Sequence, residues 1–525
     1  MTDWLAELIL QVPKAAQSGG YIREKCYHLE ITPQELLYIV AVIKERLAGR
    51  LITIVGTDQR TLGKDFVLYY VFGLDQEQVH LTLSYRVNEK ESSFPSITTY
   101  LPAANWFERE IQDLLGLRPI HHPNPSRLIL HGYELQSGYP LRKDTSIDAS
   151  IHQTTQPLAM TQYEGDEIFQ IPVGPIHAGI IEPGHFRFGV IGDDVLHLDA
   201  QLFYTHRGIE KASEGRTIEE TLQIAERICG VDVISHAISF SQAIEKIGKM
   251  SIPIRAQYLR SIYLELERLY NHVGDVGNLG AGMGFAFAVS HGSRVKEQLL
   301  RINQKYLGHR YLRDIIAIGG VKRDISTLQL QEMVQEITQL MADFDEMVQV
   351  MMQHDIALNR MKKTGVLRRK DAEALETVGI AARASGRDID TRRDYPHDLY
   401  TRSQIKVPVY QEGDVWARAM IRVDEIKESF SLIQQWVKEV PEGKVHIEIP
   451  SLPPYEWAIG VSESPRGENA HWVMVGPNNR IERYRIRSAP YMNWPAVVVA
   501  VPGNIIPDFP LINKSFELCY ACCDR

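Results

Sequence analysis

Hydrophobic and polar positions alternate strictly from Val79 to Val87, with Val79, Leu81, Leu83, Tyr85 and Val87 in one row and His80, Thr82, Ser84 and Arg86 in the other. A period of two predicts a β-strand that lays one row of side chains on a core. Apolar runs at Leu51 to Val55 and Phe66 to Phe72 predict two strands before it. Further along, the period changes. Ile262, Leu266, Leu269 and Val273 recur at steps of four and three, and so do Met333, Ile337, Leu340, Phe344, Met347 and Met351. A third row runs Ala419, Val423, Ile426, Phe430 and Ile433, with Asp414 placed to favour a helix start. These rows predict amphipathic helices, and the Met-rich one predicts plain core of a long helical bundle.

The predicted fold class is α+β: a small N-terminal α+β domain at residues 1–150, a polar linker at 151–164, and a large, mainly helical domain at 165–525. A length of 525 residues exceeds one small core, and 44% hydrophobic content suits a folded protein. The net charge of −9, from 57 basic and 66 acidic residues, argues against a nucleic-acid partner. Asp3 and Glu7 stand where a signal peptide would be basic, and no apolar run reaches membrane-spanning length. A cytoplasmic chain without direct membrane insertion is therefore expected.

Five cysteines, an odd number, do not make the framework of a secreted disulfide protein. Four of them fall in two short motifs, Cys229-Gly-Val-Asp232 and Cys519-Tyr-Ala-Cys522-Cys523. Soft ligands far apart in sequence point to a metal site closed by folding. Asp232 stands where a second thiolate of the first motif would be. The alternative for an isolated Cys-Gly-Val-Asp is a turn with a buried thiol.

The blocks around these motifs fall in a recognisable order. They are Gly174-Pro-Ile-His177, Glu182-Pro-Gly-His185-Phe-Arg187, Phe203-Tyr-Thr-His206-Arg-Gly208-Ile-Glu210-Lys211, Arg227-Ile-Cys229-Gly, Gly319-Gly-Val-Lys-Arg-Asp324, Arg383-Ala-Ser-Gly386, Pro465-Arg-Gly467 and the terminal Cys519-Tyr-Ala-Cys522. Over residues 165–525 they resemble the large subunit of membrane-associated nickel-iron hydrogenases, which is related to the complex I 49-kDa subunit. The N-terminal unit, with Phe107-Glu-Arg-Glu110 and Asp113, resembles the complex I 30-kDa subunit. The fusion of the two resembles the large subunit of formate hydrogenlyase, a group 4, energy-converting hydrogenase.

The resemblance implies a nickel-iron centre on four thiolates, two of them bridging. Cys229 and Cys519 would be terminal ligands and Cys522 a bridge, with Asp232 in the place of the other bridge. A carboxylate binds metal through oxygen but lacks the electronic character of a bridging thiolate. Cys523 is not expected to substitute, because neighbouring residues rarely point the same way. Glu182 matches the family's proton-shuttling acid, and Arg466 the arginine above the open coordination position. Glu517-Leu518 stand before Cys519 where the family usually has Asp-Pro. For His177 and His185, structural hydrogen bonding and a functional role both stay open, and His121-His122 reads as a solvated loop pair. Asp524-Arg525 fall near the place where a maturation protease trims such hydrogenases, so the expected end is either processed or encoded.

Only Cys26 lies outside the two motifs, so 4Fe-4S clusters are expected on a partner. The implied partners are an iron-sulfur small subunit, complex I 20-kDa-like, and antiporter-like membrane subunits, with the chain peripheral on the inner face of the cell membrane and its N-terminal unit as a docking module. Two classes of function follow. One is a hydrogenase-like redox subunit of an energy-converting complex, with complex I-like NADH/quinone chemistry as its variant. The other is a non-catalytic coupling subunit that kept the scaffold.

Overall fold

The computed structural model of the protein describes residues 3–17, 19–136, 138–153, 165, 167–177 and 181–525. The N-terminal part is built on a five-stranded sheet of order β1-β2-β5-β4-β3, with β1 at Gly20–Arg23, β2 at Cys26–Glu30, β3 at Arg50–Asp58, β4 at Phe66–Leu74 and β5 at Val79–Val87. β2 and β5 pair in parallel, and the other neighbours are antiparallel. The alternating row of β5 faces the main core, as its period predicts. The opposite row differs from the expectation of a wet face: His80, Thr82 and Ser84 are buried as well.

The reason is a second sheet. Ile52, Val55, Val67, Tyr69 and Val71 on that side join Trp457, Ile459, Val461, Ala470, Trp472 and Met474 in one apolar cluster. The latter belong to a hairpin of Trp457–Ser464 and Gly467–Val475, extended by Ile481–Arg487. All 17 residues of the two hairpin strands are buried, so no alternation marks them in the sequence.

The three predicted helix rows lie in Ile254–Met283, Thr327–Met352 and Val415–Glu439. Every member of the Met-rich row is buried, as bundle core requires. Asp414 caps the last helix by accepting the Ala417 amide at 2.8 Å. No described helix is long and apolar enough to cross a membrane. The expected linker lies outside the described residues apart from Ile151–Gln153, a short strand paired with Tyr133–Leu135.

The acidic residues of the N-terminal motif hold the Asn105–Leu115 helix to three different places. Glu108 accepts from Ser96, Ile97 and Thr98 at 2.5 to 2.8 Å. Asp113 accepts the amides of Leu128, Ile129 and Leu130 at 2.8 to 3.2 Å. Glu110 reaches across to the large part, pairing with Arg485 and, at 3.0 Å, with Arg525. His122, expected in solvent, is instead buried, because its loop folds back and sets Nε2 3.8 Å from Glu108. A second buried crossing joins Arg50 of β3 to Glu468 through two bonds of 2.9 Å.

Removing one member of such a pair leaves the other charge buried without compensation, at about 3–5 kcal/mol. Glu110→Gln should therefore lower stability by about that amount at pH 7, measured by denaturant unfolding. The two arginines hold the Glu110 carboxyl well below its ordinary value, so its contribution is complete above the unfolded value of about pH 4.3 and fades as pH falls below it. The gap between wild type and variant should narrow accordingly in acid.

Candidate metal centre

The Val233–Ile247 helix sits directly on the hairpin. Gly460 permits this approach, since a Cβ there would collide with the Ser239 carbonyl oxygen. Ser239 and Ser462 then share a hydroxyl hydrogen bond of 2.7 Å across the contact. Asp232 occupies the N-cap position of this helix, where an aspartate ordinarily accepts an amide of the first turn. Here it makes no such bond. Glu267, from the next helix, accepts the Ile234 and Ser235 amides at 2.6 and 3.0 Å and does the capping in its place.

The Asp232 carboxylate is thereby free to face inward. His236, one turn later, shares its side of the helix. From the far end of the chain, Cys522 enters on the short Tyr520–Asp524 helix. Cys229, Asp232, His236 and Cys522 form one buried group whose donor atoms all lie within 4.8 Å of one another. Cys522 Sγ is 3.6 Å from Asp232 Oδ2 and 3.7 Å from His236 Nε2. Cys229 and Cys522, 293 residues apart in sequence, are joined as a disulfide.

Burial pushes the Asp232 carboxyl up to about 6, against the downward pull of Arg466. Its Oδ1 is buried without a hydrogen-bond partner, although the Ser464 and Asn469 side chains stand nearby. Burial also drives His236 down to about 3, so its imidazole is neutral. A chain of contacts orients that ring: His236 Nδ1 lies 2.8 Å from His471 Nε2, and His471 Nδ1 lies 2.7 Å from the Tyr484 hydroxyl. Burial, then repulsion from Asp232, pushes Glu267 up to about 8.

Of the residues singled out in the sequence, Cys229, Asp232 and Cys522 come together. Cys519 lies beside the group rather than in it. Its Sγ accepts the Cys522 amide at 3.3 Å and lies 3.8 Å from Glu182 Oε2, which also accepts the Ala521 amide at 2.8 Å. Burial, with Glu182 beside it, pushes the Cys519 thiol up to about 12. Cys523 is buried outside the group. Arg466 grips Asp275 with both terminal nitrogens, one at 2.9 Å, and lies near enough to the group to draw the Asp232 carboxyl down. Its place is set by Gly467, whose backbone abuts Gly379 so closely that neither admits a Cβ.

Each of the open histidines bonds a backbone carbonyl, His177 that of Gly184 at 2.8 Å and His185 that of Gly174 at 3.2 Å. Glu517 receives a bond of 2.6 Å from Asn278. Sequence reasoning missed His236, Asp275 and Glu267. The spacing of four from Asp232 to His236 was the one available signal.

Comparison with known proteins adds family to geometry. Residues 29–150 match the family "Respiratory-chain NADH dehydrogenase, 30 Kd subunit", residues 207–279 "Nickel-dependent hydrogenase", and residues 282–456 "Respiratory-chain NADH dehydrogenase, 49 Kd subunit". The chain is 32% identical to formate hydrogenlyase subunit 5 of Escherichia coli, over 93% of its own length and 87% of the relative's. It is also 32% identical to hydrogenase-4 component G of the same organism, over 91% of its length and 84% of the relative's. A carbon monoxide-induced hydrogenase of Rhodospirillum rubrum is 33% identical over 68% of this chain and 99% of that one. Among solved structures, a chain of the membrane-bound sulfane sulfur reductase, described as an archaeal respiratory membrane complex, superposes with a TM-score of 0.64 at 25% identity, covering 69% of this chain and all of that one.

A nickel-iron pair on four thiolates does not fit this donor set. Such a pair needs two bridging sulfurs, and the carboxylate of Asp232 stands in one bridging place with an oxygen that has no partner. Asp232 also generates a test of its own. A carboxyl whose folded value is raised binds its proton more tightly in the folded state, so stability falls as pH rises from about 4 to 6. In chelator-treated protein at pH 8, Asp232→Asn should therefore be more stable than wild type by up to about 3 kcal/mol. That advantage should vanish below about pH 4 in matched thermal unfolding series.

Proposed function

We infer that this chain, which belongs to the family of formate hydrogenlyase-type hydrogenase large subunits and carries a complex I 30 Kd-type domain ahead of it, is the redox large subunit of a membrane-associated energy-converting complex. The observation that carries this reading is the convergence of Cys229, Asp232, His236 and Cys522 from distant parts of the chain into one buried group. A plain structural turn has no need of two cysteine sulfurs, a carboxylate and an imidazole gathered within 4.8 Å.

Five cysteines leave nothing from which a four-iron cluster could be built elsewhere in the sequence. Electrons accordingly travel through clusters on an iron-sulfur small subunit beside this chain, and the link to the membrane runs through antiporter-like partners on its inner face. Glu182 is half-buried, with Oε2 3.8 Å from Cys519 Sγ and bonded to the Ala521 amide, and from there it is placed to relay protons between the site and the surface. Arg466 acts through Asp275, fixing the wall of the site rather than touching a reacting atom. The N-terminal unit offers its outer surface for docking while its inner face is part of the common core.

Asp232 favours a second reading for the same position in the complex, a coupling subunit without hydrogen chemistry. The two share a test. Complex purified anaerobically from membranes should contain the iron-sulfur subunit, with its cluster signals in electron paramagnetic resonance, and integral membrane subunits. Recovery of the chain alone, free of both, would sink the assignment.

The same preparation should lack infrared bands of iron-bound diatomic ligands, and nickel near one equivalent with those bands would restore the hydrogenase reading. Asp232→Cys, which supplies the missing thiolate, should raise nickel content toward one equivalent by elemental analysis. An unchanged content would place the block outside residue 232.

A further inference from the structure

We propose that Cys229, Asp232, His236 and Cys522 hold a single four-coordinate divalent transition-metal ion, of the zinc or ferrous class, in place of a nickel-iron pair. This stands on the geometry of the site and not on the partners assigned above.

Distances decide nuclearity. A tetrahedral ion with bonds of about 2.0–2.3 Å sets its ligands about 3.3–3.8 Å apart. Cys522 Sγ stands at 3.6 Å from Asp232 Oδ2 and 3.7 Å from His236 Nε2, both inside that window. The Cys229 and Cys522 sulfurs are joined as a disulfide, so the ion binds the form in which a thiol or phosphine reductant has supplied two electrons and opened that bond to two thiolates. Two thiolates, one imidazole and one carboxylate are a complete set for one borderline-soft cation. They are too few sulfurs for two metals. Cys519 is engaged elsewhere, with the Cys522 amide and Glu182.

The surroundings point the same way. Asp232 Oδ1 is fully buried and unpartnered, and Arg466, which lies close enough to pull on Asp232 electrostatically, is held by Asp275. A cation held through Oδ2, the oxygen that faces Cys522, offsets the buried charge of that carboxylate. The capping duty of the helix has passed to Glu267, which leaves the Asp232 carboxylate turned toward Cys522.

His236 has the support that ligating imidazoles ordinarily have. With Nδ1–H donated to His471 Nε2, and His471 Nδ1–H donated to the Tyr484 oxygen, the lone pair of His236 Nε2 faces the sulfurs.

The test uses the full-length chain, purified anaerobically, reduced with a phosphine, stripped with chelator and titrated with Co2+. The expected result is one equivalent bound, with sulfur-to-cobalt charge-transfer absorption and the intense visible bands of four-coordinate cobalt. Competition with Zn2+ should abolish these bands. His236→Ala should remove tight binding, His471→Phe should weaken it about 10–100-fold, and Cys519→Ser should leave it unchanged. Circular dichroism and thermal unfolding of each variant separate lost ligation from lost fold, and the wild-type stoichiometry does not depend on any variant folding.

Three results overturn the proposal. One is two metals per chain, nickel with iron. Another is binding lost as fully in Cys519→Ser as in folded His236→Ala. The third is no binding at all, with peptide mapping finding Cys229 cross-linked to Cys522.

Discussion

The capping of one helix by a residue from another governs the middle of this molecule. Glu267 accepts the Ile234 and Ser235 amides, fixing the first turn of the Val233–Ile247 helix against the Ile254–Met283 helix. Two consequences follow from that single carboxylate. The orphan amides of a buried helix end are satisfied, which is worth roughly a kcal/mol or more. Asp232, the natural capping residue by position, is released toward Cys522. The departure from a four-thiolate frame is thus built into the helix start, and the surrounding backbone accommodates it without a break.

Around this turn the large part is held by charges that water does not reach. Arg466 and Arg422 share Asp275, His272 bridges toward Glu425, Arg383 joins Glu425 to Glu463, and Arg268 and Arg392 close on Glu265. Arg487 and Arg50 meet on Glu468, and Arg50 belongs to the N-terminal sheet. Buried pairs of this kind add little net stability over apolar contacts, but each missing partner is expensive. Their effect is to fix geometry: a helix in this core cannot slide by one turn without orphaning a guanidinium. The walls of the buried Cys229, Asp232, His236 and Cys522 group inherit that rigidity.

What could be read from the chain follows from how each element is buried. β5 and the three helix rows were legible because one side of each carries larger apolar residues than the other. The Trp457–Ser464 and Gly467–Val475 strands were not, since they are covered on both faces and show no alternation. Cysteine spacing and family order singled out Cys229, Asp232, Cys519, Cys522 and Glu182. Spacing could not say that His236 would join Cys229, Asp232 and Cys522. That outcome depends on where a helix begins, and its cap comes from 33 residues downstream. Arg466 is similar, for its partner Asp275 lies 191 positions away and no local pattern announces the pair. His122 was misplaced because a loop's polarity was taken for exposure, when its neighbour Glu108 draws it inward.

The seam between the two sheets holds Trp457 and Trp472 with their rings nearly parallel and centroids 5.6 Å apart, and Tyr69 of β4 lies 5.1 Å from Trp472. Two of the chain's seven tryptophans are therefore stacked at the join of its two ancestral halves. Their near-ultraviolet absorption and emission form an intrinsic optical gauge of that join. Parting of the halves would register there, in light, without any added label.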